Sequence, residues 1–170
     1  MTGPAAPCPR TLVAGIGNIF LGDDGFGVEA ARRLSQEDLP PDVEVADIGV
    51  RGVHLAYQVL DGYDSLVLID ATARGGEPGT LYLIDAGASG SRRTVENVPL
   101  DGHRMTPDTV LALLDTLGAA TGARPPRRIL VVGCEPADVE EGMGLSPPVT
   151  AAVPEAVRMV NELVRQEAVV

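Results

Sequence analysis

The chain has 170 residues, of which 45% are hydrophobic, and a formal net charge of −11. This length favours one domain with a substantial core, and the charge argues against binding to nucleic acid or an anionic membrane, because like charges repel phosphates. The start has no apolar signal region, no run approaches a membrane span, and Cys8 and Cys134 form no C-x-x-C motif, so we expect a cytoplasmic protein without a structural disulfide.

Apolar runs and helical repeats alternate in the first part of the chain. The run 11–16 stops at a glycine and predicts a buried strand, after which a helix is expected from about Asp24, whose side chain can cap it. A second strand is predicted at 43–49. The helix predicted at 52–60 has one apolar face, made of Val53, Ala56, Tyr57 and Leu60.

The rest of the chain predicts three more strands and two more helices. The strands are expected at 65–71, 79–86 and 127–136, and the helices at 106–120 and 146–168. Only a tight connection precedes 79–86, too short for a helical crossover, so this strand should run antiparallel to its predecessor. Thr106 and Pro107 are typical of a helix start. Residues 87–104 are polar and show no periodicity.

These elements predict an α/β fold in three layers, with a mostly parallel five-stranded twisted sheet, helices on both faces and one antiparallel strand. We expect a flexible tail at 1–10 and a single α/β domain at 11–168. Ligands of such sheets bind beyond the carboxyl ends of the strands. The polar residues expected at that edge are Asn18, Asp23, Asp24, Asp47, Asp70, His103, Cys134 and Glu135.

Familiar nucleotide and hydrolase motifs fit this edge poorly. A dinucleotide fingerprint needs a glycine where Phe20 stands, and carboxylates at Asp23 and Asp24 would repel a pyrophosphate. The chain has no Gly-x-Ser-x-Gly motif, and its two histidines, His54 and His103, are too far apart in sequence for His-Glu-x-x-His. A thiol hydrolase built on Cys134 and His103 stays open, although a thiol that ends a buried strand is usually a core residue.

Asp24, Asp70 and His103 remain as a set of carboxylate and imidazole groups. Adding imidazole to oxygen ligands favours nickel, zinc or cobalt over magnesium or calcium. Each residue also has a plain structural interpretation: a helix cap for Asp24, a turn cap for Asp70 and a surface loop for His103. Spacing alone does not show that the three meet.

Four segments resemble the nickel–iron hydrogenase maturation proteases, the endopeptidases that trim the hydrogenase large subunit. The most specific segment is "GIGNIFLGDDGFGV", which is similar to the N-terminal signature of that family. The other three are "SLVLIDA", "DGHRMTPDTVLALL" and "VVGCEPADVEEGMGLSPPV". The resemblance extends over nearly all of 11–165.

The resemblance implies that Asp24, Asp70 and His103 bind metal and carry out catalysis. The first of these positions is often glutamate in the family, so Asp24 is one methylene shorter. The implied substrate is a large-subunit precursor that already holds nickel, from which a C-terminal extension is removed. One imidazole and two carboxylates hold late transition metals weakly, so we expect nickel to come from the substrate, with no tightly bound resident metal. A non-proteolytic nickel sensor or carrier is the alternative.

Overall fold

The computed structural model describes residues 8–86 and 106–167. Strands and helices alternate for most of this length, and a single 3-10 turn, Gly22–Gly25, precedes the first helix. The predicted limits of the tail and of the domain stay predictions. The elements are β1 (Thr11–Ile16), α1 (Phe26–Leu34), β2 (Val43–Gly49), α2 (Gly52–Val59), β3 (Ser65–Ala71), β4 (Leu81–Asp85), α3 (Pro107–Thr121), β5 (Arg128–Cys134) and α4 (Pro147–Glu167).

The five strands form one sheet in the order β2-β1-β3-β5-β4, and this confirms the predicted mostly parallel α/β fold. β1 pairs in parallel with β2 and β3, and β3 pairs in parallel with β5. β4 is antiparallel as predicted, but its partner is β5, with Leu81 opposite Cys134. It cannot pair with β3, because β1 and β5 occupy both sides of that strand.

Helices cover both faces of the sheet, as the sequence predicts. Alternate side chains of β1 point to opposite faces, so Val13 packs in one cluster and Leu12 in the other. The first cluster lies under α1 and α4, and the second lies under α2 and α3. Burial on both faces explains why β1 and β3 are nearly continuous apolar runs.

The buried face of α2 differs from the prediction. The structure buries Leu55, Ala56 and Val59, whereas Val53 and Tyr57 are 56% and 57% exposed. Apolar residues surround most of this short helix, so its periodicity fits two faces about equally well. Packing against α3 determines which face of α2 is buried, and the local sequence pattern does not predict that contact.

The start of α3 agrees with the sequence. Thr106 is the N-cap, and its hydroxyl accepts a hydrogen bond from the Thr109 amide at 3.3 Å. Pro107 is the first helical residue, where its missing amide proton costs nothing. Within 8–86 and 106–167, no helix has the length and apolar character needed to cross a bilayer.

Candidate active site

The turn after β1 belongs to the glycine-rich segment, and it places that segment against the end of β3. Gly17 has a φ of +123°, a backbone conformation that favours glycine. A Cβ atom there would lie 2.0 Å from the carbonyl oxygen of Asp24 and 3.3 Å from Oδ1 of Asp70. Any side chain at this position would therefore clash. Because Gly17 has none, Asp24 and Asp70 can lie close to each other.

A second glycine lets α1 approach the sheet closely. A Cβ atom on Gly27 would lie 2.0 Å from the carbonyl oxygen of Ile69 and 2.5 Å from that of Ile16. Glycine thus allows the start of the helix to rest on the ends of β1 and β3. The glycine-rich motif serves close backbone packing here, which explains why it can present carboxylates where nucleotide-binding loops present amide groups.

The expected helix cap at Asp24 is wrong. The N-cap of α1 is Gly25, and it makes no side-chain capping hydrogen bond. Asp24 lies in the preceding 3-10 turn, so its carboxylate reaches back into the loop and accepts a hydrogen bond from the Asn18 amide at 2.9 Å. The side chain therefore braces the loop between β1 and α1 and is half-buried beside Asp70.

Asp70 is a buried carboxylate with an unmet acceptor. Its exposed fraction is 2%, and Oδ1 has no hydrogen-bond partner in the described part of the chain. Burial, and then repulsion from Asp24, raise the pKa of Asp70 well above its usual value, against a smaller opposing effect of the Ala71 amide. Burying such a group costs stability unless a cation or donor pairs with it, so this arrangement is typical of a functional site.

The third predicted ligand, His103, lies outside the described residues. Within 8–86 and 106–167, no three histidine, cysteine or acidic side chains are grouped closely enough to hold a metal ion. Of the three predicted ligands, the structure places two, Asp24 and Asp70, close to each other. Their roles and that of His103 stay predictions.

Asp23 has a structural role that the sequence pattern did not reveal. Its buried carboxylate accepts hydrogen bonds from the amides of Ala137, Asp138 and Ser146 and from the Ser146 hydroxyl, at 2.7–3.2 Å. Burial alone would raise the pKa of Asp23, but these bonds outweigh it and lower the pKa. Asp23 thus fastens the first loop to the loop that follows β5.

Asp23→Ala should lower the free energy of unfolding by at least about 2 kcal/mol at pH 7, because it leaves buried donors without their charged acceptor. Urea unfolding measures the change. Asp47→Ala is the matched control, since Asp47 is an exposed acid at the same edge with one ion pair to Arg32 at 3.1 Å. The free energy of unfolding of Asp47→Ala should fall by less than about 1 kcal/mol. Equal stabilities for the two variants would contradict the fastening role.

The residues at the end of β5 have structural partners of their own. Glu135 is buried, and its carboxylate accepts hydrogen bonds from the Arg74 amide at 2.7 Å and the Tyr82 hydroxyl at 3.0 Å. Cys134 is fully buried in the core cluster under α4, and burial, followed by the charges of Asp23 and Glu135, raises the pKa of its thiol to about 12. The position of the thiol in the core and its raised pKa both disfavour a nucleophilic role, which argues against the thiol hydrolase.

Residues 28–163 match a family model described as hydrogenase maturation protease. The chain belongs to the hydrogenase maturation protease family. The family predicted from the sequence is thereby confirmed, and a member of this family is a peptide hydrolase. The match begins within α1 and extends into α4, so it includes most of the sheet as well as Asp70.

Relatives of this maturation protease support the same assignment. The hydrogenase 2 maturation protease of Escherichia coli (strain K12) is 32% identical over 164 residues, which cover 94% of this chain and 93% of that protein. The hydrogenase expression/formation protein HupD of Rhizobium leguminosarum bv. viciae is 32% identical over 161 residues, covering 94% and 76%. The solved hydrogenase maturating endopeptidase HybD from E. coli superposes with a TM-score of 0.71 and 31% identity, covering 92% and 93%.

Proposed function

We propose that this maturation protease removes the C-terminal extension of a nickel–iron hydrogenase large-subunit precursor after nickel has been inserted. The family and the names of the relatives support an endopeptidase that acts in hydrogenase maturation. The observation that carries the site assignment is Asp70, a buried carboxylate with an unmet acceptor beside Asp24. Two neighbouring carboxylates that repel each other are a favourable place for a cation.

Nickel carried by the precursor is the cation in this proposal. It binds the carboxylates of Asp24 and Asp70, and His103 supplies the imidazole that favours nickel over harder ions. Binding replaces the repulsion between the two acids by attraction to a shared charge. The precursor supplies the remaining ligands, so recognition depends on nickel already being present in the substrate.

The bound nickel places the peptide bond to be cut next to the two acids. The ion would polarise the carbonyl group of that bond. Water adds to the carbonyl carbon, the C–N bond breaks, and the proton lost by the water passes to the leaving amine. Attack by water activated by a carboxylate base is the other route to the same product. In both routes Asp24 and Asp70 hold the reacting groups in place, which accounts for much of the rate enhancement in an oriented site.

Intact-mass spectrometry of the nickel-loaded precursor, incubated with and without the protein, tests the proposed function. We expect the precursor to lose the mass of its C-terminal extension only when the protein is present. A nickel sensor or carrier would leave the precursor mass unchanged while nickel moved to this chain. That second result would contradict the proteolytic function.

Asp24→Glu should be the mildest change at this position, with processing kept within about tenfold of the wild-type rate, because glutamate keeps the carboxylate and is common in the family. Asp24→Ala should abolish processing. It also removes the hydrogen bond to the Asn18 amide, at a cost of about 1 kcal/mol in stability. Rates from the mass assay are therefore compared at a temperature where urea unfolding shows both variants to be folded. Full activity of the alanine variant would contradict the assignment.

A further inference from the structure

We propose that Phe20 and Met143 form a docking ridge for the large-subunit precursor, next to the catalytic acids. This inference rests on the proposed function and adds to it the surface that recognises the substrate protein. The ridge combines two apolar side chains with an acidic flank. It therefore fits a face of the precursor on which apolar side chains lie beside lysine or arginine.

The two side chains belong to neighbouring segments of the fold. The Gly142 amide donates to the Phe20 carbonyl at 2.9 Å, and the Gly22 amide donates to the Gly142 carbonyl at 2.8 Å. These bonds form a short parallel bridge in which Leu21 is opposite Gly142. Phe20 immediately precedes Leu21 and Met143 immediately follows Gly142, so the two residues flank the bridge at opposite ends, one on each of the paired segments.

Both side chains are unusually exposed for their type. Phe20 is 60% exposed and Met143 is 73% exposed, which are the two highest values among the large hydrophobic residues that the structure describes. Single exposed apolar residues are common on protein surfaces, but two of them on adjoining segments at the edge of a site are compatible with a contact surface. Aromatic and methionine side chains are also enriched in protein–protein interfaces.

The ridge is held in a fixed position relative to the acids. Phe20 lies in the loop that Asp24 braces through the Asn18 amide, and its own amide donates to the Asn18 side chain at 2.9 Å. Asp23 fastens the same loop to the segment that carries Met143 through its bonds to Ser146 and its neighbours. A precursor bound on the ridge would therefore be held beside Asp24 without further ordering of these loops, which favours binding.

The flank of the ridge is acidic. On one side, Met143 lines a crevice of about 290 Å³ whose other lining residues include Asp138, Glu140 and Glu141, and no basic side chain lines it. All three of these acids are exposed. On the other side, Met143 lines a smaller crevice with Glu29 and Arg32, and Arg32 is paired with Asp47. This charge distribution selects a precursor face that carries lysine or arginine around its apolar centre, because opposite charges steer encounter and exclude acidic partners.

Steady-state processing kinetics test the docking ridge. The Phe20→Ala/Met143→Ala variant should raise KM for the nickel-loaded precursor by about tenfold and leave kcat nearly unchanged. Tyr57→Ala is the matched control, because Tyr57 is an aromatic residue of similar exposure on α2. It should change neither constant. The melting temperatures of all variants should match the wild type, since the side chains replaced are exposed.

The acidic flank is tested by salt. Added NaCl should raise KM of the wild type, and this dependence should weaken in Glu140→Gln/Glu141→Gln. The control Glu37→Gln/Asp38→Asn makes the same charge change in the exposed segment after α1, away from the ridge, and should keep the full salt dependence.

The possible failures are distinguishable. A wild-type protein that does not cut the precursor would contradict the proposed function itself. An active wild type with unchanged KM in the ridge variant, or with an equal rise in Tyr57→Ala, would contradict only the docking ridge. A fall in kcat without a rise in KM would do the same.

Discussion

Asp70→Asn should abolish precursor processing and, at the same time, make the protein more resistant to unfolding at neutral pH. Asp70 is buried beside Asp24, and its pKa is raised above that of an unfolded chain, so its ionised form is less stable in the folded state. A neutral amide of the same shape removes this cost. In the proposed function it also removes a charge that binds the substrate nickel, so we expect the processing rate to fall by a factor of about a thousand or more.

Urea unfolding at pH 7 and the mass-spectrometric processing assay measure the two effects of Asp70→Asn. Glu135→Gln is the matched control, because Glu135 is also a buried acid beyond a neighbouring strand, but it is fully engaged by the Arg74 amide and Tyr82. It should lower stability and leave the chemical step intact. An Asp70→Asn variant that is less stable than wild type and still processes the precursor would contradict the site assignment.

Removing metal from the protease alone should leave its activity unchanged. The predicted ligand set has one imidazole and two carboxylates, whereas a permanent catalytic zinc site usually has three firm protein ligands with more histidine. Such a set should bind metal weakly until the precursor supplies further ligands. We therefore expect the purified protein to be largely metal-free by elemental analysis, and brief treatment with a chelator, followed by its removal, to have no effect on later processing.

Casein is the control substrate for this experiment. It offers peptide bonds but no nickel centre, so the protease should not cut it before or after chelation. One stoichiometric zinc in the purified protein, together with loss of activity on stripping and recovery when zinc is restored, would contradict a substrate-borne metal. The same residues would then form an ordinary metallopeptidase site.

The alternation of elements could be predicted from the sequence because the central strands are buried on both faces. The runs that became β1 and β3 are apolar over most of their length, and the Thr106 and Pro107 signal marks the start of α3. Parallel strands end at a common edge, so the meeting of Asp24 and Asp70 also follows from topology. These features depend on patterns that can be recognised in a single sequence.

Features that depend on packing between distant segments could not be predicted in the same way. The Asp24 side chain can bond either the first turn of a helix or the preceding loop, and only the 3-10 turn before α1 directs it to the Asn18 amide. The role of Asp23 depends on Ser146, which is more than a hundred residues away in the chain. Nothing in the adjacent pair of acids distinguishes the anchor from the candidate ligand.

The most direct test of the account compares nickel-loaded and nickel-free precursor in the same processing reaction, followed by intact-mass spectrometry. Both forms carry the same C-terminal extension and offer the same peptide bond, so only the metal differs. We expect the loaded precursor to lose its extension and the nickel-free precursor to keep its full mass. Equal cleavage of the two forms would contradict the proposal that Asp24, Asp70 and His103 recognise the substrate by binding its nickel.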